Sequence, residues 1–181
     1  MNTAELSSNN PIRQLLDEHE AFRHSCDDLL RLIDRLEKDG YRAALVTGDY
    51  ALLLKTRETI REHLNIHLVK EELVFFPRLE ELVPNGRVKF LFLNYDHEYL
   101  RIYFDDFCNA ISDFEEDRVP MHISVKRIIT SGRLIVENLI KHILTEDNVY
   151  FELAEKGFDP ATLEAMGTEM RVIEARLKEQ H

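Results

Sequence analysis

Hydrophobic residues recur at helical spacing through most of the chain, and the breaks in that pattern mark out four long segments and a shorter one. The first opens at Asn10-Pro11, a capping residue followed by the proline favoured at the first helical position. It carries Ile12, Leu15, Leu16, His19, Phe22, Cys26, Leu29, Leu30 and Ile33 along one face until Gly40. A connector over 40–49 contains Gly48-Asp49, and Asp49 is placed to cap a second helix. That helix presents Leu52, Leu53, Ile60, Leu64, His67, Glu71 and Val74, and is predicted to end at Pro77 with one or two further turns to Pro84. Asn85-Gly86 reads as a turn. A third helix, 87–117, runs through Phe90, Leu93, His97, Leu100, Phe104, Phe107 and Ile111. A fourth follows Val119-Pro120, carries Val125, Ile128, Ile135, Leu139, His142, Glu146 and Val149, and closes at Gly157. Pro160 opens the last segment, with Leu163, Met166, Met170, Ile173 and Leu177. No segment reads as a strand.

Helices of about 30 residues reach about 45 Å at 1.5 Å per residue. Rods of that length with short connectors predict an all-α fold: an antiparallel up-down-up-down four-helix bundle over 11–157. A disordered N-terminal lead, 1–10, is expected before it. After it comes a C-terminal amphipathic helix, 158–181, which either caps the bundle or forms a homodimer contact. No internal repeat is evident.

Composition narrows the function. The apolar fraction of 44% suffices for a solid core. The net charge of −11 repels a polyanion, so no nucleic-acid partner is expected. No apolar run approaches the roughly 20 residues of a membrane span. The start, Met1-Asn-Thr-Ala-Glu-Leu, has neither a basic leader nor an apolar stretch, so the expectation is a cytoplasmic protein without an export signal. Cys26 and Cys108 form no short-spaced pair and are expected to be buried free thiols.

The candidate chemistry lies in polar residues on the apolar faces. His67 and Glu71 are four apart, as are His142 and Glu146, which puts each pair on one side of its helix. His19 sits between Leu15, Leu16 and Phe22, and His97 among Phe90, Leu93, Leu100 and Phe104. One such pair, exposed, is worth only a few tenths of a kcal/mol. Four imidazoles and two carboxylates in one core would instead cost several kcal/mol each if uncompensated. Counted from the helix ends, all four elements bring their residues to one layer, roughly 12–15 Å from one end of the bundle. Metal ions account for that convergence, and bundle cores hold carboxylate-bridged dinuclear sites.

Asp17-Glu18-His19-Glu20, His67-Leu-Val-Lys-Glu71-Glu72-Leu-Val-Phe-Phe-Pro77, Asp96-His97-Glu98 and His142-Ile-Leu-Thr-Glu146-Asp147-Asn148 together resemble the hemerythrin-like (HHE cation-binding) family over roughly 11–156. The resemblance implies a non-haem di-iron centre: one His each from helices one and three, and His plus Glu from helices two and four. With Glu71 and Glu146 both bridging and a bridging oxo or hydroxo, each iron has five donors and about one open position. Manganese suits the same donors; the resemblance favours iron. Oxygen-carrying hemerythrins have a fifth imidazole on helix three, where this chain has Arg101 or, in the reverse register, Leu93. They also use a carboxylate five residues after the helix-four histidine. Asp147 has that spacing, but Glu146 stacks better on the same face. The pattern therefore resembles the four-His, two-Glu branch, which includes di-iron proteins that repair oxidative or nitrosative damage to iron centres.

His63, one turn before His67, either supports a ligand from behind or serves as an additional ligand. Tyr150 and Arg101 are placed near the site, Tyr150 to pack or to hydrogen-bond a ligand, Arg101 to meet an anionic adduct or a nearby acid. His24 points off the face, and His122 lies too far along its helix. Three functions are compatible with these residues. The first is reduction or disproportionation of oxygen, peroxide or nitric oxide, with an electron donor the sequence does not identify. The second is binding or sensing of oxygen, nitric oxide or iron without turnover. The third is a metal-free bundle whose polar residues pair with one another.

Overall fold

A computed structural model describes residues 9–83 and 86–179, with the backbone alone for 86–94. The expected 1–10 lead, the Asn85-Gly86 turn and the side chains of Phe90 and Leu93 thus fall wholly or mostly outside the described residues. The described fold is all-helical, a helical bundle with an additional C-terminal helix, and no strand occurs among the described residues. Its elements are α1 (Pro11–Asp39), α2 (Tyr41–Thr47), α3 (Asp49–Lys70), α4 (Phe76–Leu82), α5 (Gly86–Glu115), α6 (Met121–Thr145), α7 (Phe151–Gly157) and α8 (Pro160–Lys178). Asn10 caps α1, its Oδ1 accepting from the Ile12 and Arg13 amides at 2.9 and 3.3 Å. Asp159 does the same for α8, accepting from Ala161 and Thr162.

The structure sharpens two helix boundaries. The expected 40–49 connector holds a short helix, α2, between Gly40 and Gly48, both at positive φ. Pro77 does not end the second helix. A π-helical turn, Glu71–Phe75, joins α3 to α4, and Pro77 lies in the first turn of α4, where a missing N–H costs no helical bond. A second π turn, Glu146–Tyr150, joins α6 to α7.

The chain groups into two compact units. One comprises the described residues of Met1–Ala21, His63–Tyr95 and Ile143–His181. Its core joins Ile12, Leu15, Val74, Phe75, Phe76, Leu79, Phe151, Ala154, Met166 and Met170. The helix α8 therefore closes this core through its two methionines. Its contact with the segment before α1 is unusually close: a Cβ on Gly167 would lie 1.6 Å from the Asn9 carbonyl oxygen. Asn9 Nδ2 donates to Thr168 Oγ1 at 2.9 Å, and Gln14 Nε2 donates to the Gly167 carbonyl at 3.1 Å.

The other unit comprises Phe22–Glu62 and Asp96–His142. Phe22, Cys26, Leu29, Ile33, Ile60, Phe107, Ile111, Ile128 and Leu139 are buried there. Gly132 lets α6 approach Ile33 and Phe107, and ion pairs such as Arg133–Asp34 and Arg35–Asp49 decorate the surface at little energetic value. Not every core expectation for this unit holds. Leu52 is exposed, and Cys108 is only partly buried, with Arg61 Nη2 3.3 Å from its sulfur. Cys26 is buried as expected, and burial pushes its thiol up to about 12.

Because the Asn9 backbone has nowhere to go while Asn9 and Gln14 stay bonded to α8, Gly167→Ala is expected to destabilise the protein by about 1–3 kcal/mol. Denaturant unfolding of the two proteins side by side measures this. An unchanged midpoint would show that the close approach is not needed.

Candidate metal centre

The buried polar residues arise from helix geometry one turn at a time. On α3, His67 is completely buried and so is Glu71, which opens the first π turn. Glu146 is likewise fully buried at the start of the second π turn, and His142 is 5% exposed one turn earlier. In both turns the amide five residues on, that of Phe76 or Phe151, donates to the glutamate carbonyl. The two turns differ in what they bury: Val149, three residues after Glu146 and expected inside, is 53% exposed, whereas Val74, at the same offset after Glu71, is buried; Phe76 and Phe151, five residues after each glutamate, are both buried.

His19, His67, Glu71 and Glu146 come together in one unit, all buried, with one ligand atom from each within 4.8 Å of the others. The two Nε2 atoms are 3.1 Å apart. His19 Nε2 is 3.3 Å from a Glu146 oxygen, and His67 Nε2 is 3.4 Å from one of Glu71. The opposite ring nitrogens are held by carboxylates: His19 Nδ1 by Asp147 at 2.7 Å and His67 Nδ1 by Glu18 at 2.8 Å. Each Nδ1 donates outward, so in the neutral imidazoles that a metal requires each Nε2 lone pair is directed at the cluster. Phe151 stacks on the His19 ring at 5.3 Å between centroids and packs edge-on against Phe75.

In the other unit His97 and His142 are also brought together, both buried and edge-to-face at 4.9 Å between ring centroids. The remaining candidates take varied positions. Asp147 and Glu146 play different parts: Glu146 enters the cluster, and Asp147 holds the back of His19. His63 is half-buried and lines a groove of ≈350 Å³ with Asp17, Glu18 and Glu174. Arg101 pairs with Glu98 at 3.1 Å. Tyr150 packs, partly buried, against the apolar core.

Electrostatics reflect this enclosure. Burial alone would push the His19 imidazolium down, but the bonds from Asp147 and Glu146 and the charge of Glu71 lift it to about 9. Burial would raise the Glu18 carboxyl, yet bonds and charges from His67 and Lys70 hold it at about 2. Two imidazole nitrogens and two buried carboxylates, packed under phenyl rings, fit a cation of the imidazole- and oxygen-binding type. Without one, two like charges share a site from which water is excluded.

The Hemerythrin HHE cation binding domain matches residues 10–101, which hold His19, His67, Glu71 and His97. A Haemophilus influenzae protein of uncharacterised role is 30% identical over 169 residues, spanning 90% of this chain and 88% of its own length. Fold and cluster define a metal-binding helical bundle. The chain belongs to the hemerythrin HHE cation-binding family.

Sequence reasoning missed three participants: Glu18 as the partner of His67, Phe151 as the ring under His19, and Lys70, which is fully buried. It also missed a local repeat. His67-Leu-Val-Lys-Glu-Glu-Leu-Val-Phe-Phe76 and His142-Ile-Leu-Thr-Glu-Asp-Asn-Val-Tyr-Phe151 share His, Glu, Val and Phe at the same offsets, and each contains a π turn beginning at its first Glu. That pairing was a readable signal for Phe151.

His19 keeps its proton to a higher pH in the folded protein than in the unfolded chain. Its stabilising contribution in metal-free protein is complete below about pH 6.5 and is lost as pH rises through about 9. Chelator-treated protein is therefore expected to lose several degrees of Tm between pH 6.5 and 9.5, with Asp147→Asn flattening the slope. Thermal scans across that range test it, and a Tm that holds or rises in the wild type contradicts it.

Proposed function

We propose that this protein holds a non-haem di-iron centre and uses it to bind and reduce or disproportionate a small oxidant, namely peroxide, oxygen or nitric oxide, under oxidative or nitrosative stress. His19, His67, His97 and His142 would hold the metal through imidazole nitrogens, and Glu71 and Glu146 through carboxylate oxygens. The observation that carries this reading is the enclosed His19–His67–Glu71–Glu146 cluster, with both Nδ1 atoms tied to carboxylates and both Nε2 atoms turned inward. The helical spacing that places Glu71 after His67 is the same as that of Glu146 after His142.

An iron pair, when bound, supplies two exchangeable electrons and an open coordination position. The protein's own residues do the rest. Asp147 and Glu18 lock the imidazole tautomers and raise their donor strength. Phe151, backed edge-on by Phe75, covers the His19 ring with apolar surface and so helps to keep water from the cluster. Glu71 and Glu146 each open a π turn, a local geometry that recurs at functional sites.

Protein expressed in iron-supplemented medium should carry close to two irons per chain. Glu71→Ala and His97→Ala should each lose most of that iron while keeping a helical circular dichroism spectrum. Peroxide added to the reduced protein should produce a ferric absorbance that a reductant reverses, over repeated cycles. Iron-free wild type, or variants with full iron content, would overturn the ligand assignment. A reversible adduct with no oxidation would replace turnover with binding or sensing.

A further inference from the structure

The ammonium of Lys70 is completely buried one residue before Glu71, and its partners come from two other helices. Nζ lies 2.5 Å from Glu18 Oε1 on α1 and 2.5 Å from Glu174 Oε2 on α8. Each carboxylate is divided between two partners. Glu18 gives its other oxygen to His67 Nδ1 at 2.8 Å, and Glu174 gives its other oxygen to Lys178 at 2.7 Å. An unbroken chain of charged contacts thus runs from Lys178 through Glu174, Lys70 and Glu18 to His67. In the local repeat the residue matching Lys70 is Thr145, which is exposed, so the arrangement is peculiar to the His67 side.

A fully buried ammonium is costly and is not needed to fill apolar space, which a methionine would do at lower cost. What it does here is share the carboxylate that holds His67. The strength of an Nδ1–H···carboxylate bond sets how basic, and how good a donor, the opposite Nε2 is. An ammonium on the same carboxylate draws charge away from that bond and moderates it. Glu174 in turn draws Lys70 away from Glu18.

We propose that Lys70 is a positioning residue for the metal centre, and that Glu174 of α8 balances it, the two together setting through Glu18 how strongly His67 donates to a bound metal. The inference rests on the di-iron reading of the cluster. It gives α8 a role in tuning the site, beyond its part in closing the core.

The test uses the full iron-loaded chain and reads the midpoint potential, the ferric absorption bands and the rate of iron loss to a chelator. In Lys70→Met the unmoderated Glu18 strengthens donation from His67, favours the oxidised metal and lowers the potential. In Glu174→Gln, Lys70 bears on Glu18 alone and the potential rises. Loosened packing would speed iron loss in both variants without this opposition of sign. Iron loss to the chelator is expected to slow in Lys70→Met and to quicken in Glu174→Gln, each by about tenfold, the low end of what disturbing such partners does to metal affinity. In a Glu18→Gln background, Lys70→Met should shift the potential no further, because its route to His67 is gone. Glu174 is 31% exposed at its side chain, so Glu174→Gln retains the fold and keeps the test intact should Lys70→Met not fold. Wild type that binds no iron overturns the metal-centre reading itself. Normal iron content with an unmoved potential in Glu174→Gln, or shifts of the same sign in both variants, overturns the role of Lys70 alone.

Discussion

Two glutamates with no exposed surface, each at the start of a π turn, are the constraint around which the described structure is organised. A carboxylate taken out of water costs several kcal/mol unless it is paired, and Glu71 and Glu146 share one enclosed cluster, where their charges oppose each other. The two imidazoles that meet them offset part of that cost, in the metal-free protein through the raised His19 proton affinity. A cation offsets all of it. The same donors that make a bare cluster expensive make a loaded one stable, so metal and fold are thermodynamically linked.

The protein invests as much in the backs of the ligands as in their faces. Asp147 and Glu18 each follow or precede a cluster residue directly in sequence, Asp147 after Glu146 and Glu18 before His19, yet each serves a histidine on a different helix. Holding one histidine's back therefore ties two helices together, and orientation of the imidazoles is a by-product of packing. On the His67 side the support extends inward to Lys70 and outward to α8. The apolar wall is completed by Phe151, the residue that follows the second π turn and stacks on His19.

Much of this was legible in the sequence, and for a physical reason: helical periodicity and capping are local. Asn10-Pro11, Pro160, the buried stripe of α1 and the placement of His67, Glu71, His142 and Glu146 on inward faces all depend on residues within a few positions of one another. That arithmetic has its failures around the π turns. A period of 3.6 puts both Val74 and Val149 on the inner face, yet only Val74 is buried, and Pro77 reads as a terminus although it lies in the first turn of α4.

By itself, then, the sequence determined an all-helical chain, the faces its helices bury, and a set of histidines and glutamates too polar to bury without a compensating charge. Only the tertiary structure decided which carboxylate enters the cluster and which holds a ring from behind, that Lys70 is buried between Glu18 and Glu174, and that α8 belongs to the support of the site. Those outcomes turn on contacts between residues far apart along the chain. Their energies depend on which water has been excluded and which partner lies within hydrogen-bonding reach, and no spacing along one helix records either.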